Sequence, residues 1–176
     1  MIITISGTAG SGKSTIAKML CEKLELKHYS IGDLRRKMAE ERGMDIYEFN
    51  KLGEKEAFTD KEADDYQTEL GKKEDGFVID GRLSFHFIPH SKKIFLDADL
   101  KTRAERIMKD SREKESFDSV ESAMAKLEER EESDKKRYKQ YYDLDPFDKS
   151  LYDIVIDTSK LTPEQIVDEI LGKIEE

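Results

Sequence analysis

A single cysteine, Cys21, among 176 residues has no partner for an internal disulfide, which sets aside the disulfide-stapled scaffolds. It falls in an apolar-periodic stretch and reads as a small core or boundary residue. Long hydrophobic runs are missing as well: nothing approaches the roughly 20 apolar residues that a bilayer-spanning helix needs. The apolar start, Ile2-Ile3-Thr4-Ile5, is short, lacks a basic lead and runs into glycines. It does not read as a signal peptide, so a cytoplasmic setting without a membrane partner is the expectation. Positive charge is scarce, 31 Lys and Arg against 40 Asp and Glu, for a net charge of −9. Duplex nucleic acid is a poor partner for such a surface, because most of that affinity comes from neutralising backbone phosphates. A small phosphorylated ligand needs only a local cluster of Lys and Arg. The three histidines, His28, His86 and His90, are not at metal-ligand spacing, and each reads as structural or exposed. No repeat, low-complexity tract or linker divides the chain, so residues 1–176 are expected to form one domain and a monomer.

What is present starts at the N-terminus. Gly7-Thr8-Ala9-Gly10-Ser11-Gly12-Lys13-Ser14 fits G-x-x-x-x-G-K-[ST], the phosphate-binding loop. A β-branched run (Ile2, Ile3, Ile5) precedes it and a helical pattern (Ile16, Ala17, Leu20, Leu24) follows, the context this motif requires. Glycines let successive N–H groups converge on a phosphate without Cβ clashes. The first turn of the helix, with its unpaired N–H groups and positive dipole end, favours an anion. Gly7 through Ser14, with Thr15 beside them, are therefore the expected site for ATP. Lys13 would reach the β/γ-phosphates and Ser14 would hold Mg²⁺.

Apolar runs and periodic segments alternate along the rest of the chain. Lys27-His28-Tyr29-Ser30 reads as a short extended piece, followed by a polar helical region to about Gly43. Residues 46–73 read as further helix, with Gly53 as the break. Phe77-Val78-Ile79-Asp80 and Lys93-Ile94-Phe95-Leu96-Asp97 read as strands, and Leu100 to Lys109 as a helix. Residues 110–118 are polar and aperiodic, so a mobile loop is expected there, before a long charged helix from about Val120 to Tyr142. Residues 152–157 supply a last strand, and Thr162-Pro163-Glu164-Gln165 is a capping box with proline at the first helical position. Five short apolar strands separated by helices predict an α/β fold, a parallel five-stranded sheet covered on both faces.

Three further segments carry a resemblance. Ser30-Ile31-Gly32-Asp33-Leu34-Arg35-Arg36 resembles the S-x-G-D-x-x-R segment of nucleoside monophosphate kinases, and Phe77-Val78-Ile79-Asp80-Gly81-Arg82-Leu83 is similar to the D/E-G-R-L segment of archaeal-type cytidylate kinases. Arg103, Arg106, Arg112, Arg130 and Arg137 follow the fourth strand, where such kinases carry arginines on a lid. The chain as a whole resembles a cytidylate kinase of the compact archaeal type. That resemblance implies the phosphate-loop kinase fold, a monophosphate-binding region at about residues 31–75 and a lid at about residues 108–137. Ser30 and Arg36 would clamp the acceptor phosphate, with Arg35 as the rival for that slot. Asp80 would hold Mg²⁺ through water, with Gly81 letting Arg82 turn to the acceptor. Arg106, Arg130 and Arg137 are the candidates for the transferring group, ahead of Arg103 and Arg112. Asp134 lies between Arg130 and Arg137 and could orient either. No four-cysteine pattern occurs, which excludes a structural-zinc lid.

Cytosine offers an N4 amino donor and the acceptors N3 and O2. Asp60, Asp64 and Gln67 fall at i, i+4, i+7 on one helical face, and their spacing resembles the D-x-x-x-D-x-x-Q of these kinases. Asp64 and Gln67 are thus expected to face the base or ribose. The expected reaction is ATP-dependent phosphoryl transfer to CMP or dCMP. The competing readings are a kinase for AMP, UMP or a non-nucleotide alcohol, a switch or assembly ATPase, and a silent nucleotide-binding module. Gly81 and Arg82 after Asp80, in place of a second acid, argue against hydrolysis, and Lys13 and Ser14 argue against silence.

Overall fold

The computed structural model describes residues 1–110 and 117–175. Five strands lie in one parallel sheet: β1 (Ile2–Gly7), β2 (Lys27–Ser30), β3 (Phe77–Asp80), β4 (Lys92–Asp97) and β5 (Ile154–Asp157), in the order β2-β3-β1-β4-β5. Helices α1 (Lys13–Leu24), α2 (Ile31–Glu40), α3 (Ile46–Gly53) and α4 (Phe58–Lys73) precede or separate the first three strands. A short α5 (Ser84–Phe87) precedes β4; α6 (Leu100–Lys109), α7 (Val120–Tyr142) and α8 (Pro163–Glu175) complete the fold.

β1 is central and buried along its whole length, and its two polar side chains are satisfied within the protein: Thr4 Oγ1 pairs with Ser91 Oγ at 2.9 Å and Ser6 Oγ donates to Gly81 O at 2.8 Å. Strand alternation sorts the core. On one face, Ile3, Ile5, Val78, Ile94 and Leu96 pack under α1 (Ile16, Leu20) and α8 (Val167, Ile170). On the other, Phe77 and Ile79 meet Ile31, Ala63 and Ile88, while Phe95 meets Phe85, Tyr138 and Tyr152. α6 and α7 share a third cluster with α3 through Ala104, Ile107, Leu127 and Phe49.

Most helix starts carry the caps their sequences advertise. The Oγ of Ser30 accepts from Asp33 N at 3.3 Å, Asp45 and Glu48 form a capping box, and Gln165 N donates to Thr162 Oγ1 at 3.2 Å. Gly53 ends α3 where an added Cβ would lie 2.6 Å from Thr59 Oγ1 and 2.9 Å from Arg137 Cδ, so the expected break is also a point of close approach. The structure differs from expectation in two short elements. α5 and the 3₁₀ turn at Lys149–Leu151 are too brief to show a helical period, and β5 starts at Ile154 where residue 152 was expected. Tyr152 instead turns inward, its hydroxyl donating to Pro146 O at 2.7 Å. Arg112 and most of the expected loop at 110–118 lie outside the described residues.

Registration of the parallel strands brings their carboxyl ends to one edge. Ser30 pairs with Asp80 across β2 and β3, Ile5 with Asp80 across β1 and β3, and Gly7 with Leu96 across β1 and β4. β1 leads away to β2 on one side, and β3 leads to β4 on the other. Open parallel sheets leave a crevice at such a reversal.

Candidate active site

The turn from β1 into α1 needs glycine at two points. Gly7 has φ 144° and a Cβ there would sit 1.9 Å from Leu96 O; Gly10 has φ 78° and a Cβ would meet Arg103 O at 2.7 Å. The loop is thus wedged between the end of β4 and α6, and its own bonds hold it: Ser11 Oγ donates to Thr8 O at 2.7 Å and Thr8 N to Leu96 O at 3.3 Å. The Nε of Arg103 donates to Ala98 O at 2.9 Å, and its NH1 to Glu131 of α7 at 2.5 Å and to Ala9 O at 3.4 Å. Arg103 is therefore a brace beneath the loop and does not line either cavity described below.

Lys13 is buried, and its ammonium donates to Thr8 O at 2.7 Å. Burial, then the guanidiniums of Arg82 and Arg130, push its pKa well below the usual lysine value, with Asp80 and Asp134 opposing. A polyanion arriving there would reverse that balance.

Asp80, at the end of β3, is almost fully buried and collects three partners. Its Oδ2 accepts from Ser14 Oγ and Ser30 Oγ, each at 3.1 Å, and its Oδ1 lies 2.7 Å from His28 Nε2. Ser14 and Asp80 are the two residues expected to serve a metal. Their adjacent hydroxyl and carboxylate are hard oxygen donors, and Mg²⁺ takes few protein ligands, relying on water and phosphate for the rest. The donor set therefore suits Mg²⁺ carried by a nucleotide. His28, read from sequence as structural or exposed, is part of this cluster. Strand alternation places residues 28 and 30 of β2 on one face, which is the signal that could have found it.

A cavity of ≈ 530 Å³ opens over the loop, bordered by residues 9–16 and by Arg36, Arg82, Arg106 and Arg130. Leu161, Pro163 and Ile107 form its apolar wall. Arg106 is held by Thr158, donating to its Oγ1 at 2.9 Å and its carbonyl at 2.7 Å. Arg36 meets Asp33 at 3.2 Å on the exposed side of α2. Its rival Arg35 turns inward to Asp60 Oδ1 at 3.0 Å, Thr59 O at 2.7 Å and Asn50 at 3.1 Å. Arg36 thus faces the loop's cavity, while Arg35 borders the narrow cleft described next.

A narrow cleft of ≈ 40 Å³ adjoins this cavity, sharing Lys13, Arg82 and Arg130 with it and extending between Gly32, Gly81 and Tyr138. Behind it runs a chain of alternating charge. Arg82 Nε donates to Asp134 Oδ2 at 2.7 Å; Asp134 Oδ1 faces Arg137 NH1 at 3.2 Å; Arg137 Nε donates to Asp60 Oδ2 at 3.0 Å; Asp60 meets Arg35. Burial works against the Asp134 carboxylate, but Arg82, Arg137 and Arg130 outweigh it and hold its pKa below the usual range. Arg137, expected among the transferring-group arginines, is 1% exposed and committed to these partners. It borders only the narrow cleft: seven residues keep it on the face of α7 that carries Arg130 but set it about 10 Å further along the axis, beside Asp60 of α4.

Asp60, Asp64 and Gln67 do share one face of α4, but that face is buried. Asp64 and Gln67 border neither cavity at the strand ends, and Gln67 Oε1 accepts from Ser84 Oγ at 2.6 Å. Among the described residues Asp64 Oδ2 is the one buried carboxylate oxygen without a hydrogen-bond partner. Burial first, then the charge of Asp60, raises the Asp64 pKa to about 8. An unfolded Asp titrates near about 4, so between about pH 4 and 8 the unfolded chain ionises this group while the folded chain keeps its proton. Stability drains away as pH rises through that window. Asp64→Asn should remove the loss, gaining on the order of a few kcal/mol over wild type from pH 4.5 to 8 in urea unfolding. A constant difference across that range would contradict the assignment.

Comparison with known proteins places this geometry. Residues 2–160 match the model of the cytidylate kinase-like family. The chain is 42% identical to a cytidylate kinase of Methanocaldococcus jannaschii over 99% of its own length and 98% of that protein. It is also 42% identical to a cytidylate kinase of Pyrococcus horikoshii, over 94% of its length and 84% of that protein. Among solved structures, a protein from Eubacterium ventriosum superposes with a TM-score of 0.72 at 22% identity, covering 100% of this chain and 99% of that one. A shikimate kinase from Bacteroides thetaiotaomicron does so with 0.67 at 16% identity, covering 100% and 99%. At those identities the structures speak to fold alone, which is the phosphate-loop kinase architecture. Sequence match over nearly the whole length decides the rest: the chain belongs to the cytidylate kinase-like family.

Proposed function

We propose that this protein transfers the γ-phosphoryl group of ATP to a pyrimidine nucleoside monophosphate, CMP or dCMP, giving ADP and the diphosphate. The observation that carries it is the pairing of the phosphate loop with Arg36 and Arg82 around one cavity at the carboxyl ends of β1 and β3. Two anions meet there. The loop N–H groups and Lys13 receive the triphosphate; Leu161, Pro163 and Ile107 offer its base an apolar wall. Ser14 and Asp80 would hold Mg²⁺, which neutralises triphosphate charge when bound. Arg36 and Arg82 would hold the acceptor phosphate in line. Arg130, bordering both spaces, stands where charge spreads over the transferring group, with Arg106 on the donor side. Phosphoryl transfer asks for positioning and charge neutralisation, and an acceptor already anionic needs no general base.

Arg137 acts in this scheme as a positioning residue: it fixes Asp134, which in turn fixes Arg82. For the base, Asp64, whose Oδ2 has no hydrogen-bond partner, is kept as the partner of the cytosine amino group, with Gln67 beside it on the same face of α4. Closure must also exclude water, or ATP hydrolysis competes.

Measuring ADP release from ATP with CMP, dCMP, UMP, AMP and shikimate in turn tests the proposal. Stimulation by CMP or dCMP above the others is expected; equal release without any acceptor would end the kinase reading. Arg36→Ala should raise KM for the monophosphate by about 10–100-fold with KM for ATP little changed, the loss of a charge-assisted contact. Unchanged monophosphate kinetics would transfer the acceptor role elsewhere.

A further inference from the structure

We infer that His28 is a positioning residue for phosphoryl transfer, aiming the Asp80 carboxylate at Ser14 and hence at the metal–triphosphate. The inference rests on the reading of Asp80 as a metal-serving group, and goes beyond it in naming what orients that group. Asp80 is 3% exposed, so its rotamer is set by protein partners and not by water. Oδ2 is shared by two hydroxyls, Ser14 and Ser30, at 3.1 Å each. Hydroxyls rotate freely, and Ser30 Oγ already accepts the Asp33 N–H as a helix cap, so neither fixes the carboxylate plane alone. The 2.7 Å contact of Oδ1 with His28 Nε2 is the shortest of the set and comes from a planar ring on an adjacent strand. Three points then define the carboxylate: its Cβ on β3, the imidazole on β2, and the hydroxyls of Ser14 at the start of α1 and Ser30 at the end of β2. Since Asp80 is a carboxylate in this role, Nε2 must carry the hydrogen and donate.

β2 is an edge strand of four residues, and its register sets His28 opposite Val78, two residues short of Asp80's own partner Ser30. His28 reaches diagonally across, as same-face neighbours two positions apart do in a sheet. Removing such an outer partner typically costs about 10–100-fold in metal affinity or activity where the ligand itself survives.

Three variants separate positioning from bulk: His28→Ala, His28→Leu, which keeps volume but loses the donor, and His28→Gln, which can still donate. The readout is the affinity for ADP by titration calorimetry with Mg²⁺ and with EDTA, beside kcat and the Mg²⁺ concentration for half-maximal rate. His28→Ala and His28→Leu should lose about tenfold of the advantage that Mg²⁺ gives ADP binding, with EDTA affinity unchanged, and need several-fold more Mg²⁺ for turnover. His28→Gln should recover most of both. Asp80→Asn is the reference, expected to lose at least as much. If Asp80→Asn loses the Mg²⁺ advantage and His28→Leu does not, His28 has no positioning role and the inference falls while the metal reading stands. If Asp80→Asn itself keeps the advantage, both fall. Equal loss in His28→Gln and His28→Leu would also overturn it, since a donor would then not be what matters.

Discussion

Lys13→Ala is expected to reduce kcat by roughly a thousandfold or more while leaving the protein as stable as wild type, or slightly more so. The two halves of that result come from the same surroundings. Among the described residues no carboxylate pairs with the ammonium; its hydrogen bond goes to a carbonyl, and burial with Arg82 and Arg130 depresses its pKa against the opposing pull of Asp80 and Asp134. A buried cation crowded by cations is a cost to the fold, so deleting it relieves the folded state. The same crowding focuses positive potential on the cavity where the proposal seats the triphosphate, so the lost charge is felt there in full. Coupled ADP-release kinetics with thermal unfolding of the same preparation would read both. A kcat within tenfold of wild type would remove Lys13 from the mechanism; a fall in melting temperature by many degrees would attribute the loss to unfolding.

The second large effect is on stability. Asp134→Ala should destabilise the protein by about 3–5 kcal/mol, the range for removing one partner of a buried ionic group. Its carboxylate sits 2% exposed between Arg82 at 2.7 Å and Arg137 at 3.2 Å; without it Arg82 loses this anion and Arg137 keeps only Asp60. Neighbouring Glu132, 78% exposed and 3.9 Å from Lys135, is the control; Glu132→Ala should cost under about 0.5 kcal/mol. The pH dependence has a definite sign. Because the folded pKa of Asp134 is depressed, its contribution is full above the ordinary carboxylate range near about 4 and is lost as pH falls through the folded value. Wild type and variant should converge in acid and stay apart from pH 5 upward in urea unfolding. A gap below about 1 kcal/mol at pH 7 would mean that the arginines find other partners.

Legibility followed the length scale of each signal. The phosphate loop could be read from letters alone because its glycines answer backbone demands, at Gly7 and Gly10 by contacts no side chain survives. The strands and long helices were legible through period and caps, down to the ends of α6 and α7. Arg36 was separated from Arg35 by the spacing of the S-x-G-D-x-x-R segment that the chain resembles; adjacent helical residues point about 100° apart, and Arg35 turns inward to Asp60. What escaped was anything set by contact between distant segments. The i, i+4, i+7 pattern of Asp60, Asp64 and Gln67 said that they share a face; it could not say that the face turns inward to Arg137 and Ser84. Arg130 and Arg137 lie seven apart on α7, yet they divide between the cavity and the buried charge chain. His28 carries no motif at all, and only the pairing of β2 with β3 brings it to Asp80.

One element touches every part of the reaction centre. Helix α7, a run of 23 residues, holds the loop's brace through Glu131 and Arg103, the end of β3 through Asp134 and Arg82, and α4, which carries the acceptor-side residue proposed at Asp64, through Arg137 and Asp60. These grips occupy barely two turns of its length. It works like a common shaft: a small roll would loosen donor cradle, strand tip and α4 together, so neither substrate's half of the machine can be retimed without the other feeling it.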